Sequence, residues 1–113
     1  MSPGDVVLIP LLQIGGTSSK LRPALLLADM PGPYQNLLIC GISTQIHLLL
    51  ANWDELIRSG DADFPGSGLH RDSAIRLSYL YAADHTEIAG IIGAVDPSRL
   101  KRLCQRLSDH LRP

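Results

Sequence analysis

Apolar residues in this chain come in runs of five to eight, each closed by prolines, glycines or polar residues, until a single long amphipathic segment ends the sequence. A pattern of that kind admits several short strands and one helix. Residues 5–12 (DVVLIPLL) follow a Pro-Gly start and are rich in Val and Ile, and Pro10 within them predicts a strand near a sheet edge. Residues 23–28 (PALLLA) and 37–42 (LLICGI) flank the turn-forming Met30-Pro31-Gly32-Pro33. They predict two buried strands joined by a hairpin-like connection. Residues 46–50 (IHLLL) fit strand and helix alike, and residues 53–58 (WDELIR) fit a helical turn or an outer strand.

The second half follows the same logic. A polar, glycine-rich connection over residues 60–68 leads into residues 72–77, where Ala74, Arg76 and Ser78 alternate with Ile75 and Leu77 as in a half-exposed strand. Asp84-His85-Thr86-Glu87 has the form of a capping box, and Ile88, Ile91 and Ile92 after it predict a short helical turn or strand. Asp96 then caps a helix with Pro97 at its first position. Leu100, Leu103, Cys104, Leu107 and Leu111 set one apolar face of that helix against the core. Short strands must close or pack to hide their edges, so the expected fold is mostly β, a small, strongly bent sheet or barrel with a C-terminal α-helix. Its 113 residues predict a single domain over 1–113.

Composition excludes several function classes. With 45% apolar and 19% charged residues the chain should fold on its own, and its apolar runs are too short to span a bilayer. The Met1-Ser2-Pro3-Gly4-Asp5 start lacks the basic and apolar regions of a signal peptide, which leads to the expectation of a cytoplasmic protein. Cys40 and Cys104 read as buried small hydrophobes. The four histidines are scattered, and no metal spacing, phosphate loop or dinucleotide fingerprint is present, so no cofactor is expected. Net charge is −1, unevenly spread: residues 54–96 carry three positive and eight negative groups, residues 97–113 five positive and one negative. Any nucleic-acid contact must therefore use a local basic patch.

Two strings stand out chemically. Lys20-Leu21-Arg22-Pro23 ends the glycine-rich loop of residues 13–20, and Ser43-Thr44-Gln45 ends the third strand. An arginine held at a loop-to-strand junction by a rigid proline presents a fixed guanidinium to a phosphate, and neighbouring hydroxyl and amide groups complete an anion site. The same residues also fit a plain surface ion pair and a Ser-Thr turn that satisfies its own backbone. His47 fits either an acid–base group or a structural histidine. Arg99, Lys101, Arg102 and Arg106 are expected on the solvated face of the last helix, and Trp53 and Phe64 as core or interface anchors.

The blocks Gly4-Asp5-Val6-Val7-Leu8-Ile9, Leu21-Arg22-Pro23-Ala24-Leu25-Leu26-Leu27, Cys40-Gly41-Ile42-Ser43-Thr44-Gln45-Ile46 and Ser67-Gly68-Leu69-His70-Arg71-Asp72-Ser73-Ala74-Ile75 occur in the order and spacing of the MazF/PemK toxin endoribonucleases, and the chain resembles that family over nearly its whole length. The resemblance implies an SH3-like or CcdB-like barrel that forms a homodimer. It further implies a metal-independent endoribonuclease that cuts single-stranded RNA at short motifs, leaves 2′,3′-cyclic phosphate and 5′-hydroxyl ends, and is neutralised by a cognate antitoxin protein. Carried over by position, Arg22 and Ser43, with Thr44 as the neighbouring alternative, are the catalytic candidates. Ser19, Lys20, Gln45, His47 and Tyr81 are the candidates for holding substrate, with Tyr79 or Tyr81 available to stack on a base. The alternative from a different class is a CcdB-like toxin that acts by binding a protein, as a gyrase poison does, or a family member without activity.

Overall fold

The computed structural model describes residues 1–12 and 19–113, with the side chains of Leu11, Leu12 and Ser19 outside that description. Six strands form one antiparallel sheet: β1 (Asp5–Leu12), β2 (Ser19–Asp29), β3 (Asn36–Ser43), β4 (Glu55–Ile57), β5 (Ser73–Asp84) and β6 (Gly90–Ala94). Their order across the sheet is β4-β5-β3-β2-β1-β6, and the sheet curls into a half-barrel. A one-turn helix, α1 (Phe64–Ser67), interrupts the β4–β5 connection, and α2 (Pro97–Leu111) ends the fold. The expected mostly-β architecture with a C-terminal helix is the one observed.

Alternation along the central strands builds two cores. Val6, Leu25, Leu27, Cys40, Ile42, Ile75 and Leu77 pack with Leu103 and Leu107 of α2, while Val7, Ile9, Ala24, Leu26, Leu37 and Ile39 form a second cluster with Ala83. Both faces of β2 are therefore covered, which is why Ala24-Leu25-Leu26-Leu27 reads as an unbroken apolar run. β1 lies near the sheet edge as expected, with only β6 outside it; β6 pairs with residues 5–8 and stops at Leu8, so Pro10 falls on an unpaired margin where its missing N–H costs nothing. One expectation needs correction: the start of β5 is not half-exposed, since Ala74 and Ile75 are both fully buried between β3 and β4.

The segments left open resolve simply. Residues 46–48 form a 3-10 turn and Glu55–Ile57 an outer strand. The capping box forms, Asp84 accepting the Thr86 N–H at 2.9 Å and Glu87 accepting the Asp84 N–H. Trp53 and Phe64 pack against the α2-side core. Among the described residues no helix is long and apolar enough to cross a membrane.

The β4 and β6 edges are not hydrogen-bonded to each other, and the connection that leaves β4 brings α1 onto β6. The approach is backbone on backbone. A Cβ at Gly93 would collide with the carbonyls of Gly66 and Ser67, and one at Gly68, where φ is +76°, with that of Ile92. Glycine at both places lets the chain seat Leu69-His70-Arg71 beside β6.

Candidate functional site

A cavity of about 900 Å³ opens between the β2–β3 strands and the segment that follows α1. Arg22 reaches it from within β2, opposite Ile9 of β1, and Pro23 pairs with Leu8. Arg22 is thus a strand residue, a correction to the loop-to-strand junction expected: pairing with β1 extends β2 back to Ser19. Ser43, Thr44 and Gln45 line the same cavity from the end of β3. The Gln45 N–H donates to Ser43 Oγ at 3.1 Å. With its oxygen held as an acceptor, the Ser43 hydroxyl has its own proton to donate to an anion.

Three residues that sequence reasoning did not place here complete the basic wall. His70 and Arg71 arrive on the segment seated against β6, and Arg76 arrives from β5, where it pairs with Gly41 of β3. The described lining contains three arginines and no carboxylate, in a chain whose net charge is −1. An anion is the ligand class such a wall favours.

A register shift shapes the floor. Cys40 pairs with Leu80 but Gly41 with Arg76, so residues 77–79 bulge out of β5. The bulge lays the Tyr79 ring over Gly41, where an added Cβ would come within 3.3 Å of Tyr79 Cδ1. Tyr79 remains 43% exposed, an aromatic face on the cavity. The bulge also turns the Ser78 N–H toward Asp54 Oδ1 at 3.0 Å.

The remaining candidates lie elsewhere. Lys20 is exposed on β2 and His47 is exposed in the 3-10 turn, and neither lines the cavity. Tyr81 is directed to Glu87, to which its hydroxyl donates at 3.0 Å; that bond pushes its ionisation upward. The Ser19 side chain and residues 13–18 of the glycine-rich loop are outside the described residues. Arg71 and Arg76 were missed because their placement is not local: one depends on a glycine-mediated approach, the other on a register shift. The string Gly68-Leu69-His70-Arg71 was the signal available for the first.

The helix carries a correction. Arg99 is not on a solvated face but buried, donating from Nε and Nη2 to Asp63 at 2.7 and 3.0 Å, from Nη2 to Asp61, and from Nη1 to Glu55 and the Leu56 carbonyl. Arg102 and Arg106 also reach Glu55. The acidic stretch and the basic helix, separate in sequence, neutralise each other here, which leaves the cavity arginines outside that network.

The family model for PemK-like, MazF-like toxins of type II toxin-antitoxin systems matches residues 2–111. No curated protein matches the chain.

Proposed function

Because the chain belongs to the PemK-like, MazF-like family of type II toxin-antitoxin toxins, we propose that it is a cytoplasmic endoribonuclease that cuts single-stranded RNA without a metal ion and is held in check by a cognate antitoxin. The observation that carries this reading is the convergence of Arg22 and Ser43 on one cavity whose described lining holds three arginines and no carboxylate.

RNA brings its own nucleophile. The 2′-oxygen attacks the adjacent phosphorus, its proton leaves, and the P–O5′ bond breaks as the 5′-oxygen takes up a proton, giving a 2′,3′-cyclic phosphate and a 5′-hydroxyl. The protein has to align these atoms and stabilise the charge that grows on the phosphoryl oxygens. Arg22, protonated at any ordinary pH, supplies that charge and a planar fork of donors. Ser43 donates its free proton to the phosphate. Thr44 and Gln45 hold the neighbouring backbone, Tyr79 stacks on a base, and His70 offers the imidazole at the cavity for proton transfer. The active form is a homodimer.

The test is incubation of the purified protein with a long unstructured RNA in EDTA, beside Arg22→Ala and Ser43→Ala variants of verified fold. We expect discrete cuts with cyclic phosphate ends, reduced about 10²–10³-fold in each variant, the usual effect of removing one transition-state donor. An intact RNA over a broad panel of sequences would sink the nuclease reading and favour a toxin that acts by protein contact.

A further inference from the structure

Asp54 and Arg76 form a pair of unusual geometry. The Asp54 side chain is fully buried; Oδ2 accepts the Leu50 N–H at 2.9 Å, and Oδ1 accepts the Ser78 N–H and hydroxyl at 3.0 Å each. Those three donors fix the carboxylate in place. Its countercharge is Arg76, yet Nε of Arg76 stands 3.7 Å from Oδ2, beyond hydrogen-bond distance, and this buried Nε has no hydrogen-bond partner among the described residues.

Arg99 shows what this fold does with an arginine whose task is structural. There the guanidinium closes on its carboxylates at 2.7–3.1 Å and is almost wholly buried. Arg76 differs on both counts: its pairing is long, and its side chain is 26% exposed and lines the cavity. A buried charge that serves only to neutralise another gains most from close, fully satisfied contact. An arginine kept near a fixed carboxylate, with donors left over toward a cavity, is instead preorganised for an anion that comes from outside.

Resting on the ribonuclease reading above, we propose that Arg76 binds a phosphate of the RNA strand other than the one cleaved, and that Asp54, walled off from the substrate, is the positioning residue that aims it. The β5 bulge serves this arrangement, since it supplies the Ser78 N–H that holds Asp54. The contact exists equally in the bound substrate and in the transition state, so it acts on affinity and not on the chemical step.

The experiment measures binding of a non-cleavable 2′-O-methyl RNA over a salt series, together with cleavage kinetics, for the wild type, Arg22→Ala, Arg76→Gln, Arg76→Lys, Asp54→Asn and the Asp54→Asn/Arg76→Gln double variant. Arg76→Gln should reduce the steepness of log K against log salt by about 0.7, the share of one phosphate on a single strand, and raise KM roughly tenfold with kcat kept. Arg76→Lys should keep the salt slope, because it keeps the charge. Asp54→Asn should raise KM when Arg76 is present and change it no further when Arg76 is already Gln; the double variant removes both charges and leaves none buried alone. If Arg76→Gln binds with the wild-type slope and affinity while the wild type cuts and Arg22→Ala is slowed about 10²–10³-fold, the role given to Arg76 is overturned and the ribonuclease reading stands. If the wild type neither binds nor cuts RNA, that reading fails and Arg76 falls with it. A Asp54→Asn effect on KM of the same size in both backgrounds overturns the positioning role.

Discussion

The Ser43 hydroxyl and the Tyr79 ring are presented to the cavity in two different ways. One has its acceptor side occupied by a backbone N–H; the other is propped on a glycine so that its face stays open. Stacking of a base on an exposed aromatic contributes about 1–3 kcal/mol, so Tyr79→Ala should weaken binding of the 2′-O-methyl RNA by about tenfold or more while melting at the wild-type temperature. Tyr81→Phe should leave binding unchanged, since Tyr81 lies off the cavity; equal losses from both substitutions would count against the placement of the base. At this scale the sequence was half legible. Arg22, Ser43, Thr44 and Gln45, which line the cavity, lie in two short strings whose chemistry alone also fits an ion pair and a turn; the resemblance of those strings to a known family singled them out. Choosing between Tyr79 and Tyr81 required the bulge at residues 77–79, and a bulge is set by what lies across the strand, not along it.

Among the elements, α2 is anchored by charge as well as by its apolar stripe. Leu103 and Leu107 are buried, and beside them Arg99 gathers Glu55, Asp61 and Asp63 from the β4–α1 segment. Removing Arg99 would leave those carboxylates without their common partner, so Arg99→Met should cost about 3–5 kcal/mol in urea denaturation. Arg102→Met, at an exposed position on the same helix, should cost about 0–1 kcal/mol. A result with the two variants equally stable would contradict the anchoring role. Hydrogen bonds from Arg99 hold the Asp63 carboxyl below its usual range. A carboxyl whose folded pKa lies below its unfolded value stabilises the fold above that unfolded value, about 3.9, and the contribution is lost as pH falls through the folded pKa. Acid unfolding below about pH 4 should therefore be less steep in Arg99→Met than in the wild type. The existence and span of α2 were plain from its periodicity, whereas the destination of its basic residues was not: the helical pattern marks which face is apolar and is silent on whether the flank meets water or a patch of acid.

For the molecule as a whole, the curled sheet and its terminal helix follow from the run of short apolar segments, but the strand order does not. The pairing of β6 with β1 joins Asp5 to Ala94, a contact that no local residue signals. The same scale governs association. The expected need to cover Trp53 is met within the chain, by the α2-side core and by His110, whose ring centroid lies 4.8 Å away. Among the apolar side chains that stay uncovered, Ile46, Leu48 and Leu50, between 43% and 57% exposed, lie together on the segment after β3. We expect sedimentation at micromolar concentration to give about twice the 12.3 kDa chain mass, and a Leu48→Glu/Leu50→Glu variant to give the single mass. A monomeric wild type would remove the dimer from the account.

The glycine-mediated seat of α1 on β6 bears on the order in which the molecule assembles. His70 and Arg71 follow directly on Gly68, which is seated against Ile92 of β6, and β6 is held by β1, almost the full length of the described chain away. Loop closure over so many residues is slow, and an edge strand of five residues opens easily. We therefore expect the wall of the cavity to open before the paired β2, β3 and β5, read as earlier loss of amide protection in β6 than in those strands by hydrogen exchange. In a chain of a toxin family, a wall that closes after the sheet would separate folding from the completion of the site.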